Sequence, residues 1–375
     1  MVQSLKRPKQ LRQLRTFISG EKALIRQLTK WEDTRLKKGS LIIKCDDIGD
    51  FLIWQQVIPA VTAHAERPIC FVGNKVNQPL LETYFDFADT YIWIDKTQWH
   101  EKSYRLSQYD KVFSLQAKMA FTPMFTRNFK LDDMLLMASA ADTRIAWSIA
   151  HHAYYPELVS EMEETTTETI RSEVKAELEY FRNIDFIHQV LKTDVLKVFK
   201  PLFPNFGKQN RLVVVPVASA ASKCWNPASF AEVIRQVLPL FDSILLNGGK
   251  DGIEACAQIE KTVQSDKLMN FCGQTKLHEM IPFIGESALL LCPDTFALHA
   301  AMLTATDTVL LTNGTNWQRF TNYSPYISSQ LKVIYPPGFK EDPERVKIYY
   351  SRSEILGIQT QTVVEAIREI KASQQ

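Results

Sequence analysis

Along this chain, short unbroken apolar runs alternate with longer stretches in which apolar residues recur at helical spacing. Leu41-Ile-Ile43 ends at Lys44 and gives way to Cys45-Asp-Asp-Ile-Gly-Asp50, after which Phe51–Pro59 resumes with helical periodicity. That pattern predicts a strand, a tight turn and a helix. Ile69–Val72, Tyr91–Ile94 and Lys111–Leu115 read as further short strands, each separated from the next by a helical or irregular stretch. Repeated βαβ units of this kind imply a parallel sheet. Residues 161–180 are acid-rich, carry the run Thr165-Thr-Thr167, and read as a solvated loop entering a helix that continues to Leu191.

The prolines, glycine and polar residues of Pro201–Asn210 read as a linker. A second α/β series follows. It has strands at Arg211–Val215, Ser243–Leu246, Leu289–Cys292 and Thr308–Thr312, helices at Pro227–Leu238 and Ile253–Val263, and one or two helices over Ser353–Ser373. Neither first strand is followed by GxGxxG, which argues against a dinucleotide dehydrogenase. A two-domain α/β enzyme with a ligand cleft between its sheets is the expected architecture.

The chain has 375 residues, 45% of them hydrophobic, which suffices for two cores rather than one. No apolar run reaches the ~18 residues of a membrane span, and the N-terminus lacks a signal-peptide stretch, so a cytoplasmic location is expected. Cys45, Cys70, Cys224, Cys256, Cys272 and Cys292 are scattered without CxxC spacing and read as reduced thiols rather than disulfides or a zinc site. Charge is uneven. Residues 1–39 hold eleven Lys and Arg against three acids, a net +8, leaving the remainder at about −6 within an overall +2. An acidic body argues against a nucleic-acid partner. In the basic arm, Leu11, Leu14 and Ile18, then Leu24, Leu28 and Trp31 beyond Gly20, fall at near-helical spacing. Such helices suit an anionic membrane surface, on the inner face of the cytoplasmic membrane, or dock their apolar faces on the body.

The turn after the first strand carries Asp46, Asp47 and Asp50. An acid near a helix start can serve as a cap, and three exceed what capping needs. At the mouth of an α/β crevice, Asp50 is also a candidate general base for a bound hydroxyl. Pro216-Val-Ala-Ser-Ala-Ala-Ser-Lys-Cys-Trp225 offers small residues, the hydroxyls of Ser219 and Ser222, and Lys223 beside a helix start, a setting for a diphosphate or simply a solvated turn. Asp294-Thr-Phe-Ala-Leu-His299 places Thr295 at another helix start, with His299 one turn on, facing the same crevice. Asn247-Gly-Gly-Lys-Asp-Gly252 permits close approach of a nucleoside at Gly248, with Asp251 or Glu254 accepting from ribose hydroxyls. Within Asn270–Glu279, Thr275 is the expected cap of the next helix.

In order, IIKCDDIGD, PVASAASKCW, LNGGKDGIE, NFCGQTKLHEM and PDTFALHAA resemble glycosyltransferase family 9, the ADP-heptose:lipopolysaccharide heptosyltransferases, over roughly residues 40–325. The resemblance implies a GT-B fold, with two Rossmann-like domains facing across a cleft. On that basis residues 1–39 form a basic helical extension, 40–205 the acceptor domain, 206–345 the nucleotide-sugar domain and 346–375 a C-terminal helical segment. It implies Asp50 as base, Lys44, Asp47 and Gly49 on the acceptor side, and Ser219, Ser222, Lys223, Asp294, Thr295 and His299 at the donor phosphates.

The implied partners are a nucleotide-diphospho-sugar, ADP-heptose, as co-substrate and a lipid-linked glycan acceptor, in an inverting transfer without cofactor or metal. No DxD pair stands where one would be expected. Val217 and Phe296 occupy positions where the family has glycine, and Cys224 one where it commonly has a basic residue. These departures keep open a non-catalytic GT-B-fold protein that binds a glycan or a partner. A sugar-nucleotide epimerase of similar fold has less support, because its extra acid–base groups cannot be placed.

Overall fold

The computed structural model describes residues 2–29, 36–148, 158–172, 177–194, 200–203, 206–315, 317–321, 323–339 and 352–374. The chain divides into two compact units, Met1–Glu173 with Phe181–Leu196, and Val174–Tyr180 with Lys197–Gln375. No described helix is long and apolar enough to cross a membrane.

Unit 1 opens with helix α1 (Val2–Leu28), followed by β1 (Ser40–Lys44), α2 (Ile48–Trp54), α3 (Ile58–His64), β2 (Ile69–Asn74), α4 (Gln78–Tyr84) and β3 (Thr90–Ile94). Then come α5 (Lys102–Ser114), β4 (Met119–Thr122), α6 (Asp132–Ala138), β5 (Thr143–Trp147), α7 (Val159–Glu163), β6 (Glu168–Ile170) and α8 (Glu179–Leu191), whose first two residues belong to unit 2. Its six strands are all parallel, in the order β3-β2-β1-β4-β5-β6. β1 is buried along its whole length, which is why it reads as an apolar run without alternation.

Unit 2 continues with β7 (Gln209–Val214), α9 (Pro227–Val237), β8 (Ser243–Leu246), α10 (Ile253–Val263), β9 (Leu268–Asn270), α11 (Leu277–Gly285) and β10 (Ser287–Pro293). It closes with α12 (Phe296–Leu303), β11 (Asp307–Leu311), β12 (Leu331–Ile334), α13 (Arg352–Leu356) and α14 (Thr360–Ser373). The order β12-β11-β10-β7-β8-β9, again all parallel, repeats the topology of unit 1. α9 shows how local sequence fixes an element. The Asn226 side chain accepts from the Ala228 N–H at 2.9 Å, and Pro227 occupies the first turn, where its missing N–H costs nothing. Phe230, Ala231, Val233, Ile234 and Val237 then bury one face against the sheet, at ~1.5–3 kcal/mol for each large apolar side chain.

Two expectations are corrected here. Lys111–Leu115 is the end of α5, not a strand: Arg105, Gln108, Tyr109 and Val112 are its buried positions, a helical stripe that a five-residue window cannot reveal. The next strand is β4, seven residues further on than Val112 begins the run's apolar part. The threonine run is not a solvated loop throughout, because Thr165 is fully buried, accepting from Arg127, and the chain then adds β6 to the sheet edge.

The basic arm is one helix that Gly20 does not interrupt, docked on unit 1 through Leu14, Ile18 and Ile25. Trp31 lies outside the described residues. Arg105 on α5 grips the buried Glu21 carboxylate at 2.9 and 3.0 Å, and the Tyr109 hydroxyl donates to it at 2.7 Å. Arg15 pairs with Glu161 and Lys22 with Glu164, so acids of unit 1 absorb part of the arm's charge.

Candidate active site

In each sheet the strand order reverses at one place, between β1 and β4 in unit 1 and between β7 and β10 in unit 2. The connections leave the two central strands in opposite directions there and open a crevice beyond their carboxyl ends. The segments that follow those strands carry most of the candidate residues, while Gly248, Asp251 and Glu254 follow β8.

In unit 1, β1 runs into the turn Cys45–Asp47. The buried Lys44 ammonium lies 2.6 Å from Asp46 Oδ2. Asn74 and Asn77, at and just beyond the end of β2, donate to the Asp46 carbonyl at 3.1 and 3.3 Å. Asp47 takes the N-cap position of α2 but makes no capping bond through its side chain. That carboxylate, 83% exposed, pairs instead with Lys96 at 2.9 Å. Capping therefore does not account for it. Gly49 and Asp50 fall in the first turn of α2, half-buried, where the helix dipole favours a carboxylate.

Two groups of unit 1 escape a reading by motif. Asp132, the first residue of α6, accepts from the Cys45 N–H at 3.3 Å and is 1% exposed. Burial, then the charge of Asp46, push its carboxyl up to about 7. Burial works against the Lys96 charge, but Asp47, Asp132 and Asp46 outweigh it and raise the lysine's pKa. Asp132 is some eighty residues from the turn in sequence, and only the β1–β4 pairing brings them together.

In unit 2, the loop after β7 holds a short 3-10 turn, Ala221–Lys223. Lys223 Nζ lies 2.7 Å from Asp294 Oδ2, joining the β7 loop to the end of β10. Asn313 donates to the Ser222 carbonyl at 3.0 Å, while Ser219 is exposed. Cys224 ties the loop to itself: the Ala218 N–H donates to its sulfur at 3.3 Å. Thr295 takes the N-cap position of α12 without a capping bond from its hydroxyl. His299 does not face open space. Its ring is 5% exposed, and its Nδ1 lies 3.0 Å from the Tyr323 hydroxyl. Burial lowers its pKa to about 4, with Asp294 raising and Lys223 lowering it, so it is neutral near pH 7.

The Asn247–Gly252 loop follows β8. Asp251 and Glu254 are exposed there, and Gly248 is buried. A Cβ on Gly252 would lie 2.9 Å from Cys272 Sγ and 3.0 Å from Val217 Cγ2, so the loop approaches these side chains as only glycine permits. Val217, half-buried, thus packs against the Gly248–Gly252 loop. Thr275 is not the cap of α11. Lys276 is, with its N–H donating to Glu279 at 2.7 Å, while the Thr275 hydroxyl donates to Asn247 Oδ1 at 2.8 Å. Among the described residues no three His, Cys, Asp or Glu side chains are grouped as metal ligands would be.

The family model for glycosyltransferase family 9 (heptosyltransferase) matches residues 152–346, just over half of the chain. No curated protein matches it in sequence. Among solved structures, a family 9 glycosyl transferase from Veillonella parvula is 13% identical, with 91% of this chain and 100% of that one covered and a TM-score of 0.67. E. coli heptosyltransferase WaaC with ADP is 11% identical over 88% and 99%, TM-score 0.65. E. coli ADP-heptose LPS heptosyltransferase II is 15% identical over 90% and 99%, TM-score 0.64. At such identities the likeness is one of fold, that of GT-B-like heptosyltransferases.

Proposed function

Because the chain belongs to glycosyltransferase family 9, the heptosyltransferase family, we propose that it moves heptose from ADP-heptose to a lipopolysaccharide or other lipid-linked surface-glycan acceptor, inverting the transferred carbon. The observation that carries this reading is Lys223, which follows Ser222 in sequence and pairs with Asp294, the residue before Thr295, at the switch point of unit 2. A cation there suits a diphosphate. Asp50 takes the acceptor hydroxyl proton as the oxygen attacks the anomeric carbon. The bond from that carbon to the diphosphate breaks, ADP leaves, and Lys223 meets the charge that develops on it. We assign that counter-charge to Lys223 rather than to a metal, so transfer is expected to survive a chelator.

Exposed Lys9 and Arg12 on the outer face of α1 offer charge to an anionic membrane. The apolar face of that helix is packed in unit 1, so the attraction in this proposal is electrostatic alone. Calorimetric titration with ADP, followed by ADP release from ADP-heptose with and without EDTA, tests the reading. Absence of ADP binding would favour the non-catalytic alternative.

A further inference from the structure

The turn that carries Asp50 begins where the hydrogen-bond ladder of β1 ends, so its first peptide groups need partners from outside the sheet. On the β2 side, Asn74 and Asn77 donate to the Asp46 carbonyl. On the β4 side, Asp132 Oδ1 accepts from the Cys45 N–H at 3.3 Å. Asp132 is 1% exposed, and its Oδ2 has no hydrogen-bond partner among the described residues. We infer that Asp132 is a positioning residue for the base-bearing turn, its carboxyl anchoring the first peptide group of Cys45–Asp50 from within unit 1. The inference rests on the assignment of Asp50 as the base.

Which protonation state does the anchoring follows from the surroundings. Burial and Asp46 favour the neutral acid, against the pull of Lys96, and put its titration at about 7. Asp133, its neighbour on α6, adds to the upward push, and the Cys45 thiol interacts with the same carboxyl. On the other helices packed against α6, Glu21 of α1 and Arg105 and Tyr109 of α5 are paired with one another. The Cys45 N–H pulls the other way, since it bonds a carboxylate better than a neutral acid, but burial and Asp46 outweigh it. A carboxyl whose pKa is raised on folding favours the folded packing only while protonated, so its ionisation costs stability around the turn. The base is therefore held firmly below pH about 7 and less firmly above it.

Two variants and two readouts test this. Asp132→Asn keeps an oxygen for the Cys45 N–H and cannot ionise, whereas Asp132→Ala removes the anchor. The first readout is the pH profile of kcat/KM for ADP release from ADP-heptose. The second is hydrogen exchange of the peptide covering residues 45–50, corrected for intrinsic rates, which needs no substrate. Wild type is expected to lose both activity and protection on an alkaline limb near pH 7. In Asp132→Asn that limb moves up by at least about one pH unit. Asp132→Ala is loose and about 10-fold less active across the range, with ADP affinity unchanged. An Asp132→Asn variant that keeps the wild-type limb in exchange, or an Asp132→Ala variant with wild-type exchange, overturns the inference. If the exchange pattern is as expected but wild type transfers nothing, Asp132 keeps its anchoring role and the assignment of Asp50 falls.

Discussion

Lys223 and Asp294 form an ion pair at 2.7 Å that links the loop after β7 to the end of β10. The pair holds the lysine at the unit's switch point while leaving it 18% exposed, so part of its charge can meet a ligand. Charge-assisted contacts of this kind are worth ~1.5–3 kcal/mol. Lys223→Ala should therefore weaken ADP binding by about 10-fold or more, measured by calorimetry. Unchanged affinity would remove Lys223 from the donor site.

Asp50→Asn preserves size and the start of α2 but cannot take a proton. Transfer should fall by ~10²–10⁴, with ADP affinity and melting temperature near wild type. A variant that turns over at the wild-type rate would end the base assignment.

His299 sits neutral on Tyr323, with its pKa lowered by burial to about 4. The unfolded chain takes up its proton near pH 6.5, so the stability this residue confers is complete above that value and lost as pH falls towards 4. The loss amounts to at most about 3 kcal/mol. Urea titrations at about pH 5 and pH 7.5 should show wild type losing more stability on acidification than His299→Gln; equal losses would contradict the buried neutral ring.

Gly252 is hemmed in by Cys272 and Val217. Gly252→Ala should cost ~1–3 kcal/mol, and adding Val217→Ala should recover part of it, with a coupling of at least ~0.5 kcal/mol in a double-mutant cycle. Strict additivity would mean that Val217 is not what fills this space.

Glu21 anchors α1 through Arg105 and Tyr109. Glu21→Ala leaves a buried guanidinium without its carboxylate, at a cost of ~3–5 kcal/mol. A thermal melt with early loss of protection in α1, read by hydrogen exchange, is the expected result. A wild-type melt would show that apolar contacts alone hold the helix.

The parallel α/β character was legible because buried parallel strands such as Leu41–Ile43 and Leu289–Cys292 are unbroken apolar runs. Elements whose burial is partial were harder. Lys111–Leu115 looks like a strand until Arg105 and Gln108, polar residues buried on the same stripe, are counted with it. β6, Glu168-Thr-Ile170, is a three-residue edge strand with no apolar run at all. At the site, Asp50, Lys223 and Asp294 stood out because each lies between the end of a strand and the first turn of the next helix. Asp132 and Lys96 did not, since their meaning depends on which strands are neighbours. Val217 reads as an intrusion into a phosphate loop from sequence alone; its contacts with Gly248 and Gly252 are tertiary.

The packing of α14 has a consequence for the order of events during synthesis. Val363, Val364, Ile367 and Ile370 are buried in the core of unit 2, where α14 lies against α9. Unit 1 has all its strands and helices once Leu196 is made. Unit 2 still lacks a wall until α14 leaves the ribosome, more than a hundred and sixty residues later. The half proposed to bear the base can thus settle first, while the half proposed to hold the nucleotide waits as an open sheet with an exposed apolar face. That interval is when this chain most needs protection from aggregation.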